Sequence, residues 1–234
     1  MTARATVRIG EVIRHARVFN PQYWRGGGVA TDRLLQDVDR LFRLLAERRI
    51  EYVLVGGIAL LQYVQGRNTE DIDLIMALSS LKSLPELKVM SQDKDFARAQ
   101  FDQLQIDILL TRNRLFDLVR RRYTTTAQSM EREVFCATVE GLLLLKFYAL
   151  PSLYRQGNFA RVSLYENDIA TLLNDYNPPL DPLWRELTPH LSPTDMEAVQ
   201  AIAADIQARI GRFRQGLGGA GPSDPQAGPE EGDV

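Results

Sequence analysis

Asp71 and Asp73 stand two residues apart in Thr69-Glu70-Asp71-Ile72-Asp73-Leu74, at the head of an apolar run. Side chains alternate along a strand, so this spacing throws both carboxylates to one face. Two like charges held side by side repel, and burying them raises the cost further. A cation relieves both penalties, and Mg2+ or Mn2+ bridging to triphosphate oxygens suits such hard donors. A third carboxylate, Asp107, lies between Ile106 and Ile108 in the run Leu104–Leu110. Three carboxylates from neighbouring strands can hold two ions about 3.5–4 Å apart, one orienting the triphosphate and one acidifying an attacking hydroxyl. Asp107 is the natural ligand or base on the hydroxyl's side.

Other residues gain meaning from their place around this set. Gly56-Gly57 follows Tyr52–Val55 and leads into Ile58. A glycine pair there is often only a turn, but between strand and helix it lets backbone amides approach the β- and γ-phosphates closely. Arg67 and Thr69 occupy the turn before Asp71, positioned to touch phosphate or pin the carboxylate loop. Lys146 interrupts the apolar run Leu142–Leu150. Either its charge snorkels to solvent or its ammonium enters the cleft and neutralises triphosphate. Arg112, Arg114, Arg120, Arg121 and Arg122 follow Asp107 closely, opposed within that stretch by Asp117 alone. They make either a solvated face or a track for the phosphate backbone of an acceptor.

The elements that must carry these residues are legible as pattern. A helix is predicted from Thr31 or Asp32 to about Arg49, with apolar residues from Leu34 to Leu45 at helical spacing. Strands are predicted at 52–55, 72–77 and 104–110, and a further one at 134–138. A short helix is expected over 58–64, a basic amphipathic one over 112–122, and helices at 139–149, 165–176, 179–187 and 194–210. Residues 79–100 read as a mixed connection, helical in parts and broken near Pro85. A loop holding Arg155 and Arg161 is expected between the helices that begin at 139 and 165. The organisation is thus an N-terminal extension (1–30), an α/β core (31–138), a helical unit (139–210) and a Gly/Pro/Glu-rich tail (211–234) expected to be disordered.

Bulk properties close off several classes. The chain has 234 residues, 45% hydrophobic and 25% charged, with formal net charge −2. That is ordinary for a globular protein, and it leaves room for a local basic patch. Cys136 is the lone cysteine and His15 and His190 the only histidines, which excludes an intrachain disulfide and argues against a conventional zinc site. The first residues contain no unbroken apolar run and Leu142–Leu150 is too short to span a bilayer, so no membrane association and a cytoplasmic location are expected.

The order of these features resembles the minimal nucleotidyltransferases of the DNA polymerase β superfamily, in which Gly-Gly or Gly-Ser at a helix start precedes an Asp-x-Asp and a distal single Asp. Here these are Gly56-Gly57, Asp71-Ile72-Asp73 and Ile106-Asp107-Ile108. Closer still is the branch of abortive-infection and type IV toxin (AbiEii toxin-like) nucleotidyltransferases, through Gly56-Gly57-Ile58-Ala59-Leu60 and Arg67-Asn68-Thr69-Glu70-Asp71-Ile72-Asp73-Leu74. Lys146 matches that branch's helix lysine, Arg155 or Arg161 its arginine, and Asp168-Ile169 the end of its Lys-Asp-x-x-Asp segment. Tyr165-Glu166 stands where Lys-Asp is usual. Asp168, counted with the nucleotide-binding residues, either orients Lys146 or the acceptor, or merely caps or salt-bridges a surface helix. The resemblance spans roughly residues 33–175. It implies an α+β, polymerase-β-like fold with a mixed sheet flanked by helices and a C-terminal helical unit. It also implies metal-dependent transfer of a nucleoside monophosphate from an NTP. Implied acceptors are RNA, foremost the tRNA 3′ end in a toxin held by a cognate antitoxin, or else a protein or small-molecule hydroxyl. A non-catalytic nucleotide-binding module is the remaining alternative.

Overall fold

The computed structural model describes Ile9, residues 30–64, Thr69, residues 71–129 and residues 132–218. Arg67, most of the 1–30 extension and the tail beyond Gly218 lie outside the described residues.

The apolar runs identified above form the centre of a mixed sheet of seven strands. These are β1 (Tyr52–Val55), β2 (Ile72–Met76), β3 (Lys88–Gln92), β4 (Phe96–Phe101), β5 (Leu104–Leu110), β6 (Thr124–Ser129) and β7 (Arg132–Ala137), in the order β3-β4-β5-β2-β1-β7-β6. β1 and β2, the two most apolar strands, sit near the middle, where both faces are covered. β2 runs parallel to β5 and antiparallel to β1, while β1 runs parallel to β7. β3 is an edge strand with all five residues exposed.

Helices flank the sheet: α1 (Ala30–Glu47), α2 (Gly56–Leu60), α3 (Leu78–Lys82), α4 (Arg114–Arg122), α5 (Val139–Arg155), α6 (Phe159–Tyr176), α7 (Leu180–Leu187) and α8 (Pro193–Gly218). Their starts follow from local chemistry. Asn113 accepts from the Leu115 amide, Thr138 from Gly141 and Asn158 from Arg161, each satisfying a donor the first turn leaves unpaired. α6 stops where Asn177 turns left-handed, at φ 42°. One continuous apolar core joins sheet and helices, from Val38 and Leu41 through Leu54, Leu74 and Ile108 to Leu143, Leu172 and Val199. The sheet ends and the helical array begins at residue 138, but buried residues on both sides belong to the same cluster.

Three expectations need correction, and one strand, β6, lies where none was expected. The mixed connection holds one short helix and then the hairpin β3–β4, whose turn is tied by Asp93 accepting from the Asp95 and Phe96 amides. β6 is a strand although Thr124–Ser129 is polar, because it pairs along its whole length with β7. α5 does not end near Ala149 but runs through Pro151 to Arg155. Pro151 is buried there, and packing outweighs the loss of one backbone bond. α8 likewise continues past Gly211 to Gly218. Arg214 donates to the Asn174 carbonyl (2.5 Å) and side-chain oxygen (3.2 Å), holding the extension against α6.

Candidate active site

Register sets the centre of the site. In the parallel β2–β5 pair Asp73 lies opposite Asp107, and in the antiparallel β4–β5 hairpin Asp107 lies opposite Arg98. Cross-strand partners share a face. A row therefore runs across the sheet from Arg98 through Asp107 and Asp73 to Val55, where β1 gives way to Gly56. Asp71 immediately precedes β2 on the same approach.

A cleft of ≈ 750 Å³ opens over this row. Its floor includes Asp73, Arg98 and Asp107, and its far wall is a helical stripe of α5: Leu142, Leu145, Lys146, Ala149, Ser152 and Leu153. α6 contributes Arg161 and Tyr165, and the segment into α8 contributes His190, Ser192 and Asp195.

The electrostatics of the floor are unbalanced toward negative charge. The Asp73 carboxyl is pushed up from its ordinary 3.8 to about 7, first by burial, then by the charges of Asp107 and Asp71. Lys146 and Arg161 pull it the other way. Gly56 makes this packing possible. It adopts φ +64°, and a Cβ there would come within 1.9 Å of Asp73 Oδ2. At Gly57 a Cβ would come within 2.7 Å of Thr69 Oγ1. The glycine pair thus leaves room for Asp73 and for the turn residue Thr69, besides ending β1.

Lys146 lines the cleft. Its Nζ lies 2.7 Å from Asp168 Oδ2, with the two side chains 5% and 2% exposed, and 4.4 Å from the centre of the Tyr165 ring. Asp168 does not line the cleft. It stands behind Lys146 and pairs with it.

The arginine series is distributed differently from the expectation. Arg120 pairs with Glu51 and Asp117, Arg121 with Asp117, and Arg122 with Glu186, while Arg112 donates to the Asp93 carbonyl. The fold brings Glu51 and Glu186, distant in sequence, against a run that had seemed opposed by Asp117 alone. None of Arg112, Arg114, Arg120, Arg121 and Arg122 lines the cleft; among the described residues its arginines are Arg98, Arg155 and Arg161.

Arg98 is the residue missed by sequence reasoning. Its Nε lies 2.7 Å from Asp107 Oδ1 and its Nη2 2.8 Å from Asp107 Oδ2. The signal was available: Phe96-Ala97-Arg98-Ala99-Gln100-Phe101 alternates, and a two-residue loop before Leu104 places Arg98 opposite Asp107.

The donor chemistry of Asp71 and Asp73 suits a hard divalent cation, which would offset both the desolvation of the Asp73 carboxyl and the neighbouring charges of Asp107 and Asp71 that raise it. With Asp107 turned to Arg98, no three His, Cys, Asp or Glu side chains among the described residues close around a common point.

No protein-family model matches the chain, and no curated protein matches its sequence. Among solved structures, the chain is similar to an antigenic nucleotidyltransferase-like protein from Paracoccidioides brasiliensis at 19% identity and TM-score 0.48, over 76% of this chain and 87% of that one. It is also similar to the antibiotic-resistance factor ANT(2'')-Ia in solution, at 15% identity and TM-score 0.42, over 78% and 96% of the two chains. The crystal structure of ANT(2'')-Ia with adenylyl-2''-tobramycin gives 16% identity and TM-score 0.40, over 74% and 95%. Likeness at this level leaves the activity to be argued from the site itself. Among the described residues no helix is long and apolar enough to cross a membrane.

Proposed function

We propose that the protein is a nucleotidyltransferase with a polymerase-β-like core, moving a nucleoside monophosphate from an NTP to the hydroxyl of a small molecule. The observation that carries the reading is the row Asp107–Asp73 on adjacent parallel strands, facing Lys146 across a cleft, with Asp71 just before β2. Asp71 and Asp73 would hold a divalent cation, Mg2+ or Mn2+, which when bound supplies charge neutralisation to the triphosphate. Lys146, steadied by Asp168, and Arg161 present positive charge from the helical wall to the phosphates. Thr69 stands beside the Gly56-Gly57 turn. Asp107, once free of Arg98, is placed to take the proton of an acceptor hydroxyl. The strands β2 and β5 are largely buried behind the acidic row, so solvent reaches those carboxylates from the cleft side.

A small acceptor is favoured over RNA by the pairing of Arg120, Arg121 and Arg122 with Glu51, Asp117 and Glu186 outside the cleft. An RNA acceptor, and with it a toxin role and a cognate antitoxin, would call for an open basic track leading to Asp107. The test supplies α-labelled NTPs with Mg2+ and, in parallel, hydroxylated small molecules, total RNA and protein extract. Label is expected on a small molecule, and none with Asp71→Asn or Asp73→Asn. Label on RNA alone would reverse the choice of acceptor, and label that survives both substitutions would remove the transferase reading.

A further inference from the structure

β4 presents its residues alternately, with Phe96, Arg98 and Gln100 outward and Ala97, Ala99 and Phe101 buried. Arg98 therefore meets Asp107 by register, and its fork engages both carboxylate oxygens, at 2.7 and 2.8 Å. The two side chains differ in freedom: Arg98 is 49% exposed and Asp107 18%. Asp71 and Asp73 add their attraction to the same guanidinium. The acidic floor thus already contains one positive charge of the protein's own, seated on the carboxylate that faces the acceptor side.

We infer that Arg98 is a resident counter-cation that keeps Asp107 from binding metal until a polyphosphate draws the guanidinium away. This rests on the nucleotidyltransferase reading. A guanidinium fork matches phosphate oxygens as well as carboxylate oxygens, and a triphosphate offers more negative charge. A half-exposed ion pair is weak enough to be exchanged on a flexible side chain. Both ends of the exchange lie in the same cleft, which Arg98 and Asp107 line together. Nucleotide-free protein then offers a cation Asp71 and Asp73, and a second cation place opens at Asp107 after nucleotide arrives. Arg98 would impose an order, nucleotide before second ion. A merely structural cross-strand pair would leave cation stoichiometry untouched.

Bound Mn2+ can be counted by electron paramagnetic resonance on the full chain, with and without a mixture of unreactive α,β-methylene nucleoside triphosphates. Wild type is expected to bind one ion without nucleotide and two with it, and Arg98→Gln two in both conditions. Arg98→Lys keeps the charge and loses the fork. It should take the second ion without nucleotide at a concentration between those of the other two, and it decides the matter if Arg98→Gln does not fold. Wild type that binds two ions unaided, or an Arg98→Gln count that follows wild type in both conditions, overturns the role of Arg98 alone. Failure of every form to bind Mn2+, nucleotide present, overturns the transferase reading and this inference with it.

Discussion

Asp73 is half-buried beside two other carboxylates, and its proton affinity records first the loss of solvent and then the neighbouring charge. The native carboxyl titrates near 7 and the unfolded one near 3.8, so the native state binds the proton more tightly. Stability from this group is therefore present in full below about pH 4 and is lost as pH rises through about 7. Chemical denaturation of cation-free protein across that window should show the decline, and Asp73→Asn should flatten it. For the same reason divalent cations should bind more tightly as pH rises toward 7, since they displace that proton. Gly56 is the second residue whose role is steric. Gly56→Ala forces an L side chain to φ +64° and a Cβ into Asp73 Oδ2. A cost of about 1–3 kcal/mol is expected from the backbone alone. Urea unfolding would measure it, and loss of triphosphate binding should accompany it because Asp73 must move.

At the scale of elements, α5 and α6 are held face to face by Lys146 and Asp168, a pair almost sealed from solvent. Removing one partner strands the other's charge, so Lys146→Met should cost about 3–5 kcal/mol. The double change Lys146→Met with Asp168→Leu should recover most of that stability while triphosphate binding stays lost. Thermal unfolding together with calorimetric titration separates the two effects; recovery of binding in the double variant would show that Lys146 is only structural.

Elements also explain what was readable beforehand. β1, β2 and β5 were plain because central strands are apolar, and the acidic residues stood out against them. β3, β4 and β6 were not, since KVMSQ, FARAQF and TTTAQS contain polar residues that pairing alone makes into strands. Missing β4 meant missing Arg98. Reading a proline as a stop shortened α5, although its burial carries the helix onward past Ser152 and Leu153 of the cleft wall.

Among the described residues, Arg98, Arg155 and Arg161 line the cleft, whereas Arg120, Arg121 and Arg122 on α4 pair with Glu51, Asp117 and Glu186 away from it. A net charge of −2 gives no broad field to gather nucleic acid. The paired changes Arg121→Glu and Arg122→Glu should alter nucleotide turnover by less than about twofold, as expected for exposed surface pairs. Turnover measured by pyrophosphate release checks this, and a severe loss would restore an extended anionic acceptor.

The central claim is that Asp71 and Asp73 bind nucleotide through a divalent cation. Calorimetric titration of α,β-methylene nucleoside triphosphates into the protein, with Mg2+ present and then chelated, tests it without knowledge of the acceptor. Binding is expected with Mg2+ and should vanish on chelation and in Asp73→Asn. Equal affinity with and without Mg2+, or in Asp73→Asn, would contradict it.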